Sequence, residues 1–163
     1  MKTFFLIILC NLFVVLSMQA QQTPKIELGE LYIGNELFDI NGRAFRLEDF
    51  RGKYILLGFW SQSSNESVAD FKQLKKLKEQ HADKLTIASI CVDKIDNWKT
   101  SSKQKEITWY NLSNGTQKKE GIAKDFYIEK LPTYILIAPD GTYYARLVSA
   151  ALYIANWENL PMP

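Results

Sequence analysis

Seven consecutive apolar residues, Tyr54-Ile55-Leu56-Leu57-Gly58-Phe59-Trp60, constrain this chain more than any other feature. A strand exposed on one face alternates apolar and polar residues, because successive side chains point to opposite sides. An unbroken apolar run of strand length therefore reads as a central strand covered on both faces. The residues that follow fit such a centre. Ser61 to Asn65 is a polar turn, and Val68, Phe71, Leu74 and Leu77 then recur at the spacing of a helix with one buried stripe. A second apolar run, Leu85 to Val92, reads as another central strand.

Weaker signals fill in the rest. Glu36 to Phe50 alternates around Asn41-Gly42, the strongest short-range hairpin signal. Asp93 to Lys105 is polar, with Trp98 as the anchor of a second helix; Ile107 to Leu112 reads as a short strand, and Ile122 to Phe126 begins another helix. Tyr134 to Ile137 is a strand, Pro139-Asp140-Gly141 a turn, and Thr142 to Val148 its antiparallel partner. A last helix is expected over Leu152 to Leu160. Strands alternating with helices make the fold class α/β, and the late hairpin makes its central sheet mixed. The chain has 163 residues and no linker or internal repeat divides it, so it holds one domain.

The N-terminus reads as an export signal over residues 1–20. Lys2 is a short positive region, Phe4 to Leu16 an apolar core of about 13 residues, and Ser17-Met18-Gln19-Ala20 the exit, with cleavage expected after Ala20. The apolar core falls short of the ~20 residues that span a bilayer. An uncleaved anchor is the alternative. Residues 21–35 are a lead-in segment, and residues 36–163 form the domain. The expected location is therefore exported, periplasmic or otherwise extracytoplasmic, with no membrane contact beyond the signal.

Net charge is +2 for the whole chain, one unit of which is Lys2. So balanced a chain excludes nucleic acid as a partner, since phosphate neutralisation needs a clustered basic face. Lys72, Lys75, Lys76 and Lys78 read as the wet face of a helix. No histidine, cysteine and carboxylate cluster suggests a metal, and no glycine-rich loop cradles phosphate, so no cofactor is expected. Of the two cysteines, Cys10 lies in the export signal and Cys91 in an apolar strand. Loss of the signal would leave one cysteine and no possible internal disulfide, although exported proteins meet an oxidising compartment. Cys91 reads as inert packing; its place near a strand's C-terminal end leaves reactivity as the alternative.

In order and spacing, these pieces resemble the thioredoxin-like thiol–disulfide oxidoreductases of the bacterial envelope (TlpA-like) and their AhpC/TSA relatives. The resemblance runs from about Glu36 to Leu160. It is carried by Phe38 to Arg43 with Leu47 to Lys53 as an opening hairpin and lead-in, by Leu56 to Trp60 as the strand that delivers the active site, by Leu131-Pro132-Thr133-Tyr134 as a cis-proline loop, and by the turn at Pro139-Asp140-Gly141. It implies a thioredoxin-like fold, a central mixed sheet flanked by helices, with an N-terminal β-hairpin.

The family's Cys-x-x-Cys, counted three residues past the tryptophan, falls on Ser64-Asn65-Glu66-Ser67. The peroxidatic cysteine of the AhpC/TSA pattern also falls on Ser64, its threonine on Ser61 and its proline on Leu57. Thiol exchange requires a thiolate, and a serine hydroxyl cannot replace it. Serine becomes a nucleophile only beside a positioned base. The one histidine, His81, lies on the order of 20 Å from Ser64 along a continuous helix at ~1.5 Å per residue. Ser63 and Glu66 instead match a capping box, with Ser63 as the N-cap and Glu66 at the third helical position.

No catalytic residue is therefore expected, Ser64 and Ser67 being degenerate redox positions. By the resemblance, Leu131 presents its backbone to an extended peptide beside Pro132 and Thr133, with Trp60 as the neighbouring wall. The resulting expectation is a redox-inactive envelope protein that binds an extended polypeptide or a partner protein. The alternatives are a thiol oxidoreductase or peroxidase acting through Cys91, and a structural assembly domain.

Overall fold

The computed structural model describes residues 29–31, 34, 36–116 and 120–150. Its centre is β3 (Tyr54–Trp60), in which every residue is buried. β3 pairs in parallel with β4 (Leu85–Cys91), from Tyr54 against Leu85 to Trp60 against Cys91, and antiparallel with β6 (Thr133–Ile137), from Ile55 against Ile137 to Phe59 against Thr133. β5 (Tyr110–Leu112) runs parallel to β4, and β7 (Tyr143–Leu147) antiparallel to β6. The sheet order is β5-β4-β3-β6-β7, a mixed sheet of five strands. A separate hairpin of β1 (Leu37–Phe38) and β2 (Ala44–Phe45) precedes it, closed by Asn41 and by Gly42 at φ 81°.

Strand alternation divides the core. Ile55, Leu57 and Phe59 of β3 lie with Ala88, Ile90, Ile135, Ile137 and the hairpin's Leu37 and Phe45 in one cluster. Tyr54 and Leu56 lie with Leu85, Ile87, Tyr134 and Leu136 in the other, where Leu74 and Leu77 cover them. Each of these two leucines contributes about 1.5–3 kcal/mol by leaving water. The apolar run of β3 is thus the sequence form of a strand packed on both faces.

The helix expected across Val68 to Leu77 is broken into two. α1 covers Asn65–Ala69 and α2 covers Phe71–His81, with Asp70 ending the first and beginning the second. The Asp70 carboxylate accepts from the Tyr134 hydroxyl at 2.9 Å and from the Ala150 N–H at 3.3 Å. These long-range partners hold the junction. Leu74 and Leu77 are buried, while Val68 and Phe71 are half-buried. Lys72, Lys75 and Lys76 are exposed, and Lys78 donates to the Thr108 carbonyl.

α3 (Ile95–Gln104) buries Trp98 as expected, and α4 covers Gly121–Asp125. The strand expected from Ile107 begins only at Tyr110. Leu31, in the segment read as a lead-in, bridges to Thr142, and Glu30 accepts from the Tyr143 N–H at 2.8 Å. The export signal and the helix expected over Leu152 to Leu160 lie outside the described residues.

Candidate functional site

Three chain segments meet at one end of the sheet. The parallel pair β3 and β4 ends there at Trp60 and Cys91, and the antiparallel β6 begins there at Thr133. Extending the β3–β6 register by one position sets Pro132 level with Trp60. Loops beyond the C-terminal ends of parallel strands are where α/β sheets place their sites.

Ser64 is the N-cap of α1, with φ −94° and ψ 107°. Its Oγ accepts from the Ser67 N–H at 3.2 Å and from the Ser67 hydroxyl at 2.9 Å, and it donates to Glu66 Oε2 at 3.3 Å. Ser67 is fully buried. Both hydroxyls are thus committed to the start of the helix. Among the described residues, the Ser64 proton goes to the Glu66 carboxylate. His81 is at the far end of α2.

The capping box expected on Ser63 does not form; the cap is one residue later. Ser63 Oγ instead lies 2.8 Å from Ser61 Oγ, which itself donates to Asp93 Oδ1 at 2.6 Å. Asp93 also accepts from the Gln62 N–H at 2.8 Å and from Cys91 Sγ at 3.4 Å. One carboxylate past the end of β4 therefore gathers the loop that leaves β3. Sequence reasoning missed Asp93. Its signal was position alone, as the first charged residue after an apolar parallel strand.

Cys91 is 1% exposed. Burial pushes its thiol well above the ordinary range, and the charge of Asp93 adds to this.

Trp60 is 2% exposed and clusters with Cys91 and Trp98. Its indole N–H donates to Asn111 Oδ1 at 3.1 Å, and its ring meets Phe71 edge-on at 5.1 Å. The residue expected as the wall beside Leu131 and Pro132 is thus buried, with its polar atom turned to the Asn111 amide oxygen. The Leu131–Pro132 peptide bond is cis. Leu131 and Pro132 are half-buried, whereas Thr133 is buried and donates to the Lys130 carbonyl at 2.8 Å. The backbone N–H and C=O of Leu131 have no hydrogen-bond partner among the described residues. No group of metal-ligating side chains occurs among the described residues.

A family model described as thioredoxin-like matches residues 52–143. The thioredoxin-like protein YneN of Bacillus subtilis (strain 168) is 25% identical over 119 residues, which cover 72% of this chain and 65% of that protein. Among solved structures, the thioredoxin domain of a thiol-disulfide oxidoreductase from Bacteroides vulgatus has a TM-score of 0.72 at 22% identity, covering 83% of this chain and 99% of its own. A thiol-disulfide oxidoreductase from Bacteroides fragilis NCTC 9343 has a TM-score of 0.68 at 26% identity, covering 82% of this chain and all of its own.

Proposed function

This chain belongs to the thioredoxin-like family, and we propose that it is a redox-inactive member that binds an extended polypeptide or a partner protein at the edge formed by Leu131, Pro132 and Thr133. The observation that carries the redox part is the engagement of Ser64 and Ser67: where the family pattern sets two cysteines, the Ser64 hydroxyl caps a helix and the Ser67 hydroxyl donates to it. The unpartnered backbone of Leu131 supports the binding part, since an extended peptide satisfies such groups by adding a short strand. The export signal expected over residues 1–20 supports an extracytoplasmic location. Thiol chemistry through Cys91 is the competing enzymatic reading; it draws on the names of the structural relatives and works against the burial of the sulfur.

Two measurements test the proposal. Insulin disulfides should not be reduced above a protein-free control; turnover that disappears with Cys91→Ser would establish the enzymatic reading instead. Titration with a reduced, carboxymethylated polypeptide, followed by amide NMR, should move the Leu131 resonance and its neighbours. Binding that perturbs another face would overturn the site. No binding would leave the assembly domain in front.

A further inference from the structure

A cleft of about 790 Å³ lies between the β1–β2 hairpin, the end of α3 and β5, the outermost strand on that side of the sheet. We propose that it binds an acidic saccharide, with the Tyr110 ring as the platform for a sugar face and with Arg43 and Lys103 as partners for sugar carboxylates. The cleft shares no lining residue with the Leu131 edge, and the proposal does not depend on the function proposed there.

The platform is open and already fixed. Tyr110 is 44% exposed, whereas Leu112 of the same strand is fully buried. The Tyr110 ring centroid lies 4.6 Å from that of Phe50 and 5.4 Å from that of Phe45, and both phenylalanines are buried. These contacts hold the ring in place and leave nearly half of the residue uncovered in the lining of the cleft. An aromatic ring carries negative charge on its face. The C–H bonds of a sugar, polarised by neighbouring oxygens, give a pyranose a flat apolar face of complementary sign.

The charged lining sets the chemical class. Arg43, Lys53, Lys78 and Lys103 stand there against Asp39 and Glu106, an excess of two positive charges. Lys53 and Lys78 already donate to the Ala82 and Thr108 carbonyls, and the Asp39 carboxylate accepts from the Asn41 and Arg43 N–H groups. The exposed Lys103 and the Arg43 guanidinium, 5.0 Å from the Phe45 ring centroid, remain to meet an anion. Glu106 supplies an acceptor for hydroxyls. It holds φ 48°, in the left-handed region that favours glycine. A glycine would follow α3 there without strain, and residues kept in such conformations concentrate at ligand sites. Sugar hydroxyls use donors and acceptors alike; the excess of positive charge selects a sugar that also bears carboxylates.

The test titrates the full chain with trigalacturonate, its methyl ester and citrate, followed by amide NMR and calorimetry. The ester keeps the rings and loses the charges; citrate keeps carboxylates and has no ring. Trigalacturonate should shift the Tyr110 and Asn111 amide resonances saturably and bind about tenfold or more tighter than either other probe, as one hydrogen bond to a charged group implies. Lys103→Glu, at an exposed position, should lower its affinity to that of the ester. Tyr110→Leu, which keeps an apolar contact with Phe45 and Phe50, should weaken it several-fold. Glu106→Gly should unfold at a higher temperature than the wild type and yet bind trigalacturonate more weakly, a combination that a purely structural residue would not give. No saturable shift in β5 would overturn the proposal. So would equal affinity for the ester or for citrate, or unchanged binding by any of the three variants.

Discussion

Ser61 Oγ donates to Asp93 Oδ1 at 2.6 Å across 32 positions of sequence, and so ties the end of β3 to the end of β4. The same carboxylate receives the Gln62 N–H and the Cys91 thiol. Hydrogen bonds to a charged acceptor are worth about 1.5–3 kcal/mol each, more than neutral ones.

Asp93→Ala should therefore destabilise the fold by about 2 kcal/mol, although this position is far from the centre of the core. Ser61→Ala should cost less, since it removes one of the three donors. In a double-mutant cycle the two changes should couple by about 1 kcal/mol. Urea midpoints measure all three quantities. Additive effects would show that the bond between them contributes nothing.

A second expectation concerns alkaline pH. Burial raises the Cys91 thiol in the folded state above its ordinary value of 9.0. The unfolded chain ionises that thiol first, so the stabilisation is fully present below pH 9 and is lost as pH rises further. The slope due to one such group approaches about 1.4 kcal/mol per pH unit. Tyr134, also raised by burial and by Asp70, adds its own loss above pH 10. Between pH 9 and 10, Cys91→Ala should therefore flatten the decline seen in urea titrations of the wild type. Parallel slopes would mean that the native thiol ionises normally and is accessible.

Tyr134 offers a third test. Its hydroxyl donates to Asp70 at the junction of α1 and α2, and its ring lies over Gly58 of β3. Tyr134→Phe keeps the ring and removes the bond, with an expected cost of about 1.5 kcal/mol. At Gly58 an added Cβ would stand 2.8 Å from Tyr134 Cε1, closer than carbon atoms tolerate. Gly58→Ala should thus cost about 1–3 kcal/mol through overpacking. Thermal unfolding reads both changes. A Gly58→Ala protein as stable as the wild type would show that the ring moves aside freely.

The centre of the fold was legible because burial on both faces leaves a continuous record in the sequence. Tyr54 to Trp60, Leu85 to Cys91 and Thr133 to Ile137 are runs of this kind, and each is a strand. The end of the sheet was less legible because distant partners decide its details. Ser63 and Glu66 have the local spacing of a capping box, but the Ser61–Asp93 pair draws Ser63 away and leaves the cap to Ser64. Nothing near position 70 announces that Tyr134 and Ala150 hold its carboxylate. The resemblance casts Trp60 as a wall beside Leu131, and no local pattern announces that its indole N–H turns to Asn111.

The scaffold at the start of α1 can be tested for the thiol chemistry that serines cannot perform. Ser64→Cys with Ser67→Cys restores two sulfurs at the start of α1, where oriented backbone N–H groups favour a thiolate at the first position. Glu66 opposes it, for its carboxylate already lies 3.3 Å from Ser64 Oγ. The first thiol should therefore ionise at higher pH in the double variant than in a triple variant that also carries Glu66→Pro, a residue suited to the first turn of a helix. Losing the serine cap should cost about 1 kcal/mol in both, so a comparison between them isolates the charge. Thiolate absorbance against pH measures the difference, and insulin reduction measures its consequence. A lower thiol pKa with faster turnover in the triple variant would identify Glu66 as a second barrier to redox chemistry, beyond the missing sulfurs. Equal pKa values in the two variants would confine that barrier to the serines alone.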